Sequence, residues 1–268
     1  MTQVNISLAQ MDVRLGNPRV NWPKMQEMAQ QAKTQGGQLA VFPELWDAGY
    51  ALPKAKDLAS SLSGGLFAQV GALSKQLDLF ITGSMLEKRG VGVANCAPLI
   101  SPQAGIMGAY RKTHLFPLMR EDQWLSAGES TLNIQMPWGK TAVAICYDLR
   151  FPELFRRYAV EGAQVVLLPC QWPEPRIEHY RTLVQARAIE NGLYMVAVNR
   201  VGEDTPEDGP TTRYFGHSMV VDPFGRIVIE LGYSEGVHTV TLDMAQVEAA
   251  RQAIPSLAGR RPEVYGSF

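Results

Sequence analysis

The chain has 268 residues, enough to bury a sizeable core, and lengths of this order often form one α/β domain. Its 25 basic and 26 acidic residues leave a formal charge of -1, which argues against a nucleic-acid partner, because phosphate recognition needs a clustered basic excess. No run of 18 apolar residues appears, so no membrane span is expected, and Met1-Thr2-Gln3-Val4-Asn5 lacks the basic and apolar regions of a signal peptide.

Val4 to Gln10 alternates apolar and polar side chains, as a half-buried strand does. Asn21 to Thr34 reads as an amphipathic helix closed by Gly36-Gly37. Leu39 to Phe42 is a short apolar run, read as a buried strand. Leu66 to Leu77 is helical, and Phe80 to Ser84 reads as another strand. Ala94 to Tyr110 reads as a hairpin turning at Ser101-Pro102. Leu132 to Met136 and Thr141 to Ile145 form a second hairpin around Pro137-Trp138-Gly139-Lys140. Pro152 to Glu161 is a helix with proline in its first turn. Val165 to Leu168 is a strand and Arg176 to Asn191 a longer helix. Tyr194 to Asn199, Ser218 to Val221, Ile227 to Leu231 and Val237 to Leu242 read as strands, and Met244 to Ala253 as the last helix. Strands alternating with helices, interrupted by hairpins, predict one mixed-sheet α/β domain over residues 1–268 with helices outside.

The sharpest local feature is Ala142-Val143-Ala144-Ile145-Cys146-Tyr147-Asp148-Leu149-Arg150-Phe151-Pro152-Glu153. An apolar strand ends at a cysteine, and a helix begins soon after. A cysteine at such a turn is presented at the strand's end. The first N–H groups beyond it are free to face a developing oxyanion. The alternative for this segment alone is a buried structural cysteine. Val41-Phe42-Pro43-Glu44-Leu45 puts a carboxylate just past a buried strand, where apolar neighbours such as Trp46 suit it to act as a base. The alternative is a solvated surface glutamate. Tyr110-Arg111-Lys112-Thr113-His114-Leu115-Phe116-Pro117 puts a lysine at a strand end, where an ammonium could hold an oxyanion. The alternative is a surface basic cluster. Together the three supply a nucleophile, a base and a cation, and strand ends on one edge of an α/β sheet converge on one cleft.

Cys96, Cys146 and Cys170 are far apart and odd in number, which suits free thiols in a reducing compartment, the cytoplasm, better than disulfides. The four histidines are scattered singly, so no metal site is expected.

The set Phe42-Pro43-Glu44-Leu45, Tyr110-Arg111-Lys112-Thr113-His114-Leu115 and Cys146-Tyr147-Asp148-Leu149-Arg150-Phe151-Pro152-Glu153, in that order, resembles the nitrilase superfamily of carbon–nitrogen hydrolases. The resemblance runs from the first strand to Arg260-Arg261-Pro262-Glu263-Val264-Tyr265. It implies a four-layer α-β-β-α sandwich, assembled as a homodimer or higher homo-oligomer through an outer helical layer, with no cofactor. It also implies roles. Cys146 is the nucleophile that forms a thioester, Glu44 the general base, and Lys112 the cation at the tetrahedral intermediate. The N–H of Tyr147 shares the oxyanion with Lys112. Glu121 fits a second glutamate that positions substrate and catalytic groups, with a surface carboxylate as its alternative. The chemistry calls for these types, because an amide is a poor electrophile and a free thiol, with a pKa of about 8.5, is mostly protonated at neutral pH.

Arg150 could clamp a substrate carboxylate bidentately, or form an ion pair with Glu153 or Glu190. Trp172 could line the pocket or be ordinary core. His217 reads as structural, His114 as orienting the loop, and Cys96 and Cys170 as inert. The wording Pro43-Glu44-Leu45-Trp46-Asp47-Ala48-Gly49-Tyr50 with His114-Leu115-Phe116-Pro117-Leu118-Met119 is most similar to bacterial omega-amidase-type members. Those hydrolyse 2-oxoglutaramate to 2-oxoglutarate and ammonia, so a small-molecule amide is the expected partner. An N-carbamoyl hydrolase and a non-catalytic scaffold are the alternatives.

Overall fold

The computed structural model describes residues 2–206 and 210–266. The first half of the chain forms β1 (Gln3–Gln10), α1 (Pro18–Thr34), β2 (Leu39–Val41), α2 (Ala55–Leu58), α3 (Gly65–Leu77), β3 (Phe80–Thr82), β4 (Met85–Arg89), β5 (Gly92–Ser101), β6 (Gly105–Arg111) and α4 (Glu121–Trp124). The second half forms β7 (Asn133–Met136), β8 (Gly139–Val143), α5 (Pro152–Val160), β9 (Val165–Cys170), α6 (Ile177–Asn191), β10 (Tyr194–Asn199), β11 (Val201–Asp204), β12 (Thr212–Phe215), β13 (Met219–Val221), β14 (Ile227–Glu230), β15 (Gly236–Asp243), α7 (Ala245–Ala253) and α8 (Pro262–Tyr265).

Two mixed sheets result. The first runs β15-β1-β2-β3-β5-β4, with β6 also paired to β5, and the second runs β14-β13-β10-β9-β8-β7. Each has a parallel centre, β1-β2-β3 in one and β8-β9-β10 in the other. Parallel strands need cover on both faces, and β9 and β10 are buried along their whole length. The main core lies between the sheets, where Ile6, Leu8 and Val41 of the first meet Val143, Leu167 and Val196 of the second. Met25, Met28 and Ala29 of α1 and Phe67 and Val70 of α3 cover the outer face of the first sheet. Phe155 and Tyr158 of α5 and Tyr180 and Val184 of α6 pack in the core that covers the second. The layers are therefore helix, sheet, sheet, helix, as expected.

The short helices α2, α4 and α8 have no counterpart in the sequence reading, and three further departures have a visible cause. Helix α1 begins at Pro18 rather than Asn21. Within its first turn, the side chain of Asn21 bonds Arg14 N and O and Asp47 O, each at 2.8 Å, pinning the loop before the helix to the segment after β2. The expected strand Phe80 to Ser84 stops at Thr82 and a new strand starts at Met85. Gly83 turns the chain at φ +155°, and a Cβ there would lie 2.6 Å from Phe42 Cβ. Hairpin β11–β12 has no counterpart in the sequence reading, since Gly202-Glu203-Asp204 and Thr212-Arg213 carry little apolar alternation.

Candidate active site

Strands β2, β6, β8, β9 and β10 all deliver residues to one edge of the sandwich. Glu44 follows β2, Lys112 follows β6 and Cys146 lies just beyond β8. Glu44, Lys112 and Glu121 are fully buried, and Cys146 is 6% exposed. The surface readings of the two glutamates and the lysine are therefore excluded.

Lys112 Nζ donates to Glu44 Oε1 at 2.8 Å and to Glu121 Oε1 at 2.6 Å. Every carboxylate oxygen here is engaged. Glu44 Oε1 also accepts from Asn95 Nδ2 at 2.8 Å, and Oε2 from Gln171 N at 3.0 Å. Glu121 Oε1 accepts from the Tyr50 hydroxyl at 2.7 Å, and Oε2 from Phe116 N at 2.8 Å. Such bonding is what permits buried charge.

Cys146 opens a tight turn over residues 146–150 with a left-handed φ of +45°. A non-glycine residue in this region stores strain of about 1–3 kcal/mol, held only where its surroundings over-determine it. Asp148 does that here. Its Oδ2 accepts from Ile145 N at 2.8 Å and from the Tyr110 hydroxyl at 2.9 Å, and its Oδ1 from His114 N at 3.1 Å. The ring of His114 stacks on Phe151 at 3.6 Å, so the lysine loop and the cysteine turn are held as one unit. His114 orients the loop, as the sequence suggests. Tyr147, second in the turn, has no intrahelical acceptor for its N–H.

Burial pushes the Cys146 thiol well above the ordinary cysteine range, with a hydrogen bond to Cys170 and the nearby Glu44 adding to the shift and Lys112 opposing it. At neutral pH the thiol is therefore protonated and needs a base to become nucleophilic. Burial by itself would push the Lys112 ammonium down, but the neighbouring Glu121 and Glu44 carboxylates outweigh it and hold the pKa well above the lysine range. Burial also raises the Glu121 carboxyl, against the pull of Lys112. The centre can thus hold one permanent cation between two acids and beside a neutral thiol.

Arg150 makes neither expected ion pair. Glu190 bonds Arg187 at 3.0 Å instead, and Arg150 Nη2 lies 3.4 Å from His179 Nδ1. Its guanidinium stands 4.9 Å from the centre of the Trp172 ring, leaving it without a carboxylate partner among the described residues. Trp172 is buried, its backbone N–H bonded to Asn199 Oδ1 and its indole N–H to Arg176 O, so it forms the floor on which Arg150 rests. His217 bonds Glu230 at 2.7 Å, a structural role. At Phe116 opens a cavity of about 640 Å³, lined also by Met119, Glu174, Arg176, Glu203 and Arg213; neither the catalytic residues nor Arg150 and Trp172 are among its lining residues. Phe116 joins it to the cysteine turn, its ring 4.6 Å from that of Tyr147. Among the described residues no cluster of His, Cys, Asp or Glu could hold a metal ion, and no helix is long and apolar enough to cross a membrane.

Sequence reasoning missed Asn95, Tyr50, Asp148 and Gln171. Asn95 carried a signal, a buried amide in the apolar run Gly92–Ser101. Tyr50 and Asp148 lie inside quoted motifs and Gln171 beside Trp172, and each gains its meaning from partners the sequence does not place beside it.

A family model described as carbon-nitrogen hydrolase matches residues 5–252. The chain is 33% identical over 261 residues to a 2-oxoglutaramate amidase of Bacillus subtilis, covering 97% of this chain and 98% of that one. It is 32% identical to a deaminated glutathione amidase of Mus musculus, covering 94% and 82%. Among solved structures it resembles an amidase from Nesterenkonia sp. AN1, in a mutant carrying the acetamide moiety of fluoroacetamide covalently at its active-site cysteine. That match has 26% identity and a TM-score of 0.86, over 98% of this chain and 95% of the other.

Proposed function

The chain belongs to the carbon–nitrogen hydrolase family, and on that premise we propose that it is an omega-amidase-type enzyme, one catalytic domain that converts 2-oxoglutaramate or a similar dicarboxylic monoamide to the acid and ammonia. The observation that carries this reading is Lys112, buried and bonded to both Glu44 and Glu121 beside the strained turn of Cys146. In this reading Glu44 takes the thiol proton as Cys146 Sγ attacks the amide carbon. The oxyanion is held by Lys112 Nζ and the N–H of Tyr147. Glu44 returns the proton to the leaving nitrogen, the C–N bond breaks, and ammonia departs from a thioester. Glu44 then takes a proton from water, which attacks the thioester and frees the acid and the thiol. Glu121 holds Lys112 in place throughout.

Arg150, without a carboxylate partner among the described residues and resting on Trp172, binds the distal carboxylate of the substrate. That assignment separates a dicarboxylic monoamide from a neutral one. The family resemblance supports a cytoplasmic homodimer or larger assembly through the outer helices, where Val160 and Ile189 are 47% and 56% exposed. Sedimentation tests that assembly.

Purified protein should release ammonia from 2-oxoglutaramate and succinamate, and Cys146→Ala should abolish it. No ammonia from either amide overturns the substrate. Carbon dioxide released alongside ammonia from carbamoyl compounds, with none from the amides, points to N-carbamoyl hydrolysis instead.

A further inference from the structure

The base and the nucleophile of this reading stand on different sheets. Glu44 follows β2 in the first sheet and Cys146 follows β8 in the second. Their separation depends on how the two sheets are tied at this edge. Besides the bonds from Tyr110 and His114 to Asp148, three hydrogen bonds join Glu44 itself to the end of β9, the strand beside β8. Glu44 N donates to Cys170 O at 3.4 Å, and Gln171 N donates to Glu44 Oε2 at 3.0 Å. The third comes from a side chain: Gln171 Nε2 donates to Glu44 O at 2.5 Å. It also approaches Leu45 O at 3.4 Å, where the chain takes a left-handed φ of +43°.

A glutamine amide has two ends, and only the NH2 end can serve here. Arg200 enforces that choice. It is fully buried at the end of β10, and its Nη1 lies 3.3 Å from Gln171 Oε1. A guanidinium only donates, so the amide oxygen must face it and the NH2 must face Glu44. Arg200 is itself locked, by Asp204 Oδ2 at 2.8 Å, Val13 O at 2.6 Å and the Tyr214 ring at 4.3 Å.

We propose that Gln171 is a positioning residue for the reaction: oriented by Arg200, it clamps the Glu44 backbone to the second sheet and so sets the base against Cys146. The proposal rests on Glu44 acting as the base. A misplacement of about 1 Å costs about 100-fold in rate, so the clamp should act on kcat.

The test uses the full chain, with kcat expressed per Cys146 that iodoacetamide can titrate to completion. Gln171→Leu keeps the volume and removes the donor. It should lower kcat about 10–100-fold while KM moves less than about threefold. Arg200→Met should lower kcat through the same route, so the double variant should be no slower than Gln171→Leu, whereas independent sites would multiply their losses. Arg200→Lys, which keeps a donor for the amide, should retain more activity than Arg200→Met. A Gln171→Leu enzyme that melts earlier but keeps wild-type kcat per titrated site overturns the proposal, as does a multiplicative double variant. If Arg200→Met does not fold, the Gln171→Leu split between kcat and KM decides alone. Glu44→Gln in the same assay tests the underlying reading separately: wild-type kcat there removes Glu44 as the base, whatever Gln171 does.

Discussion

Lys112→Met separates what the buried cation does for the fold from what it does for the reaction. Methionine keeps most of the side chain's length and removes the charge that stands 2.8 Å from Glu44 and 2.6 Å from Glu121. Breaking a fully buried ion pair by removing one partner costs about 3–5 kcal/mol, because the remaining charge is left uncompensated. Protonation of Glu121, whose carboxyl burial already raises, relieves part of that cost. A carboxyl raised in the folded state loses stability as pH rises, so the deficit should be larger at pH 8 than at pH 5. The rate should fall about 100–1000-fold or more, since an oxyanion donor is lost. Adding Glu121→Gln removes the second buried charge, so the double variant should regain stability but no rate. Urea denaturation at both pH values, with ammonia release on the same samples, checks this. A stability loss below about 1 kcal/mol would mark Lys112 as an ordinary exposed pair. A double variant that regains activity would refute the assignment of the cation to the oxyanion.

Burial pushes the Asp47 carboxyl up to about 7 from its ordinary 3.8, with backbone hydrogen bonds such as that from Leu86 N opposing the shift. The folded state then binds the proton more tightly than the unfolded one, so stability falls as pH rises between these values, by about 4 kcal/mol at most. Asp47→Asn should lack that fall and be the more stable protein at pH 8; urea midpoints that stay parallel from pH 5 to pH 8 would contradict it. Arg150→Leu should raise KM for succinamate about 10–100-fold, the worth of a charge-assisted hydrogen bond, and leave butyramide hydrolysis unchanged. Equal loss of kcat/KM on both amides would make Arg150 structural.

The strand ends that carry Glu44, Lys112 and Cys146 were legible because each follows an apolar run, and apolar periodicity is what a sequence displays most directly. Hairpin β11–β12 was not legible, because its buried apolar residues Val201, Tyr214 and Phe215 sit only at the strand ends, with Gly202-Glu203-Asp204 and Thr212-Arg213 between them. Helix α1 misled at its start because Asn21, within its first turn, found partners across the fold in Arg14 and Asp47. The polar surroundings of the site were hidden for the same reason. Asn95 and Gln171 matter only because β5 and β9 bring them to Glu44 from positions far along the chain. Spacing cannot reveal a hydrogen bond between strands of different sheets. The solvated alternatives for Glu44, Lys112 and Glu121 could be set aside only once their complete burial was seen.

The account turns on a covalent intermediate at Cys146. Wild-type enzyme turning over 2-oxoglutaramate, quenched in acid and digested, should carry the acyl group of the substrate on the peptide containing Cys146, and Cys146→Ala should carry none and release no ammonia. Ammonia released by Cys146→Ala at the wild-type rate would contradict the central claim.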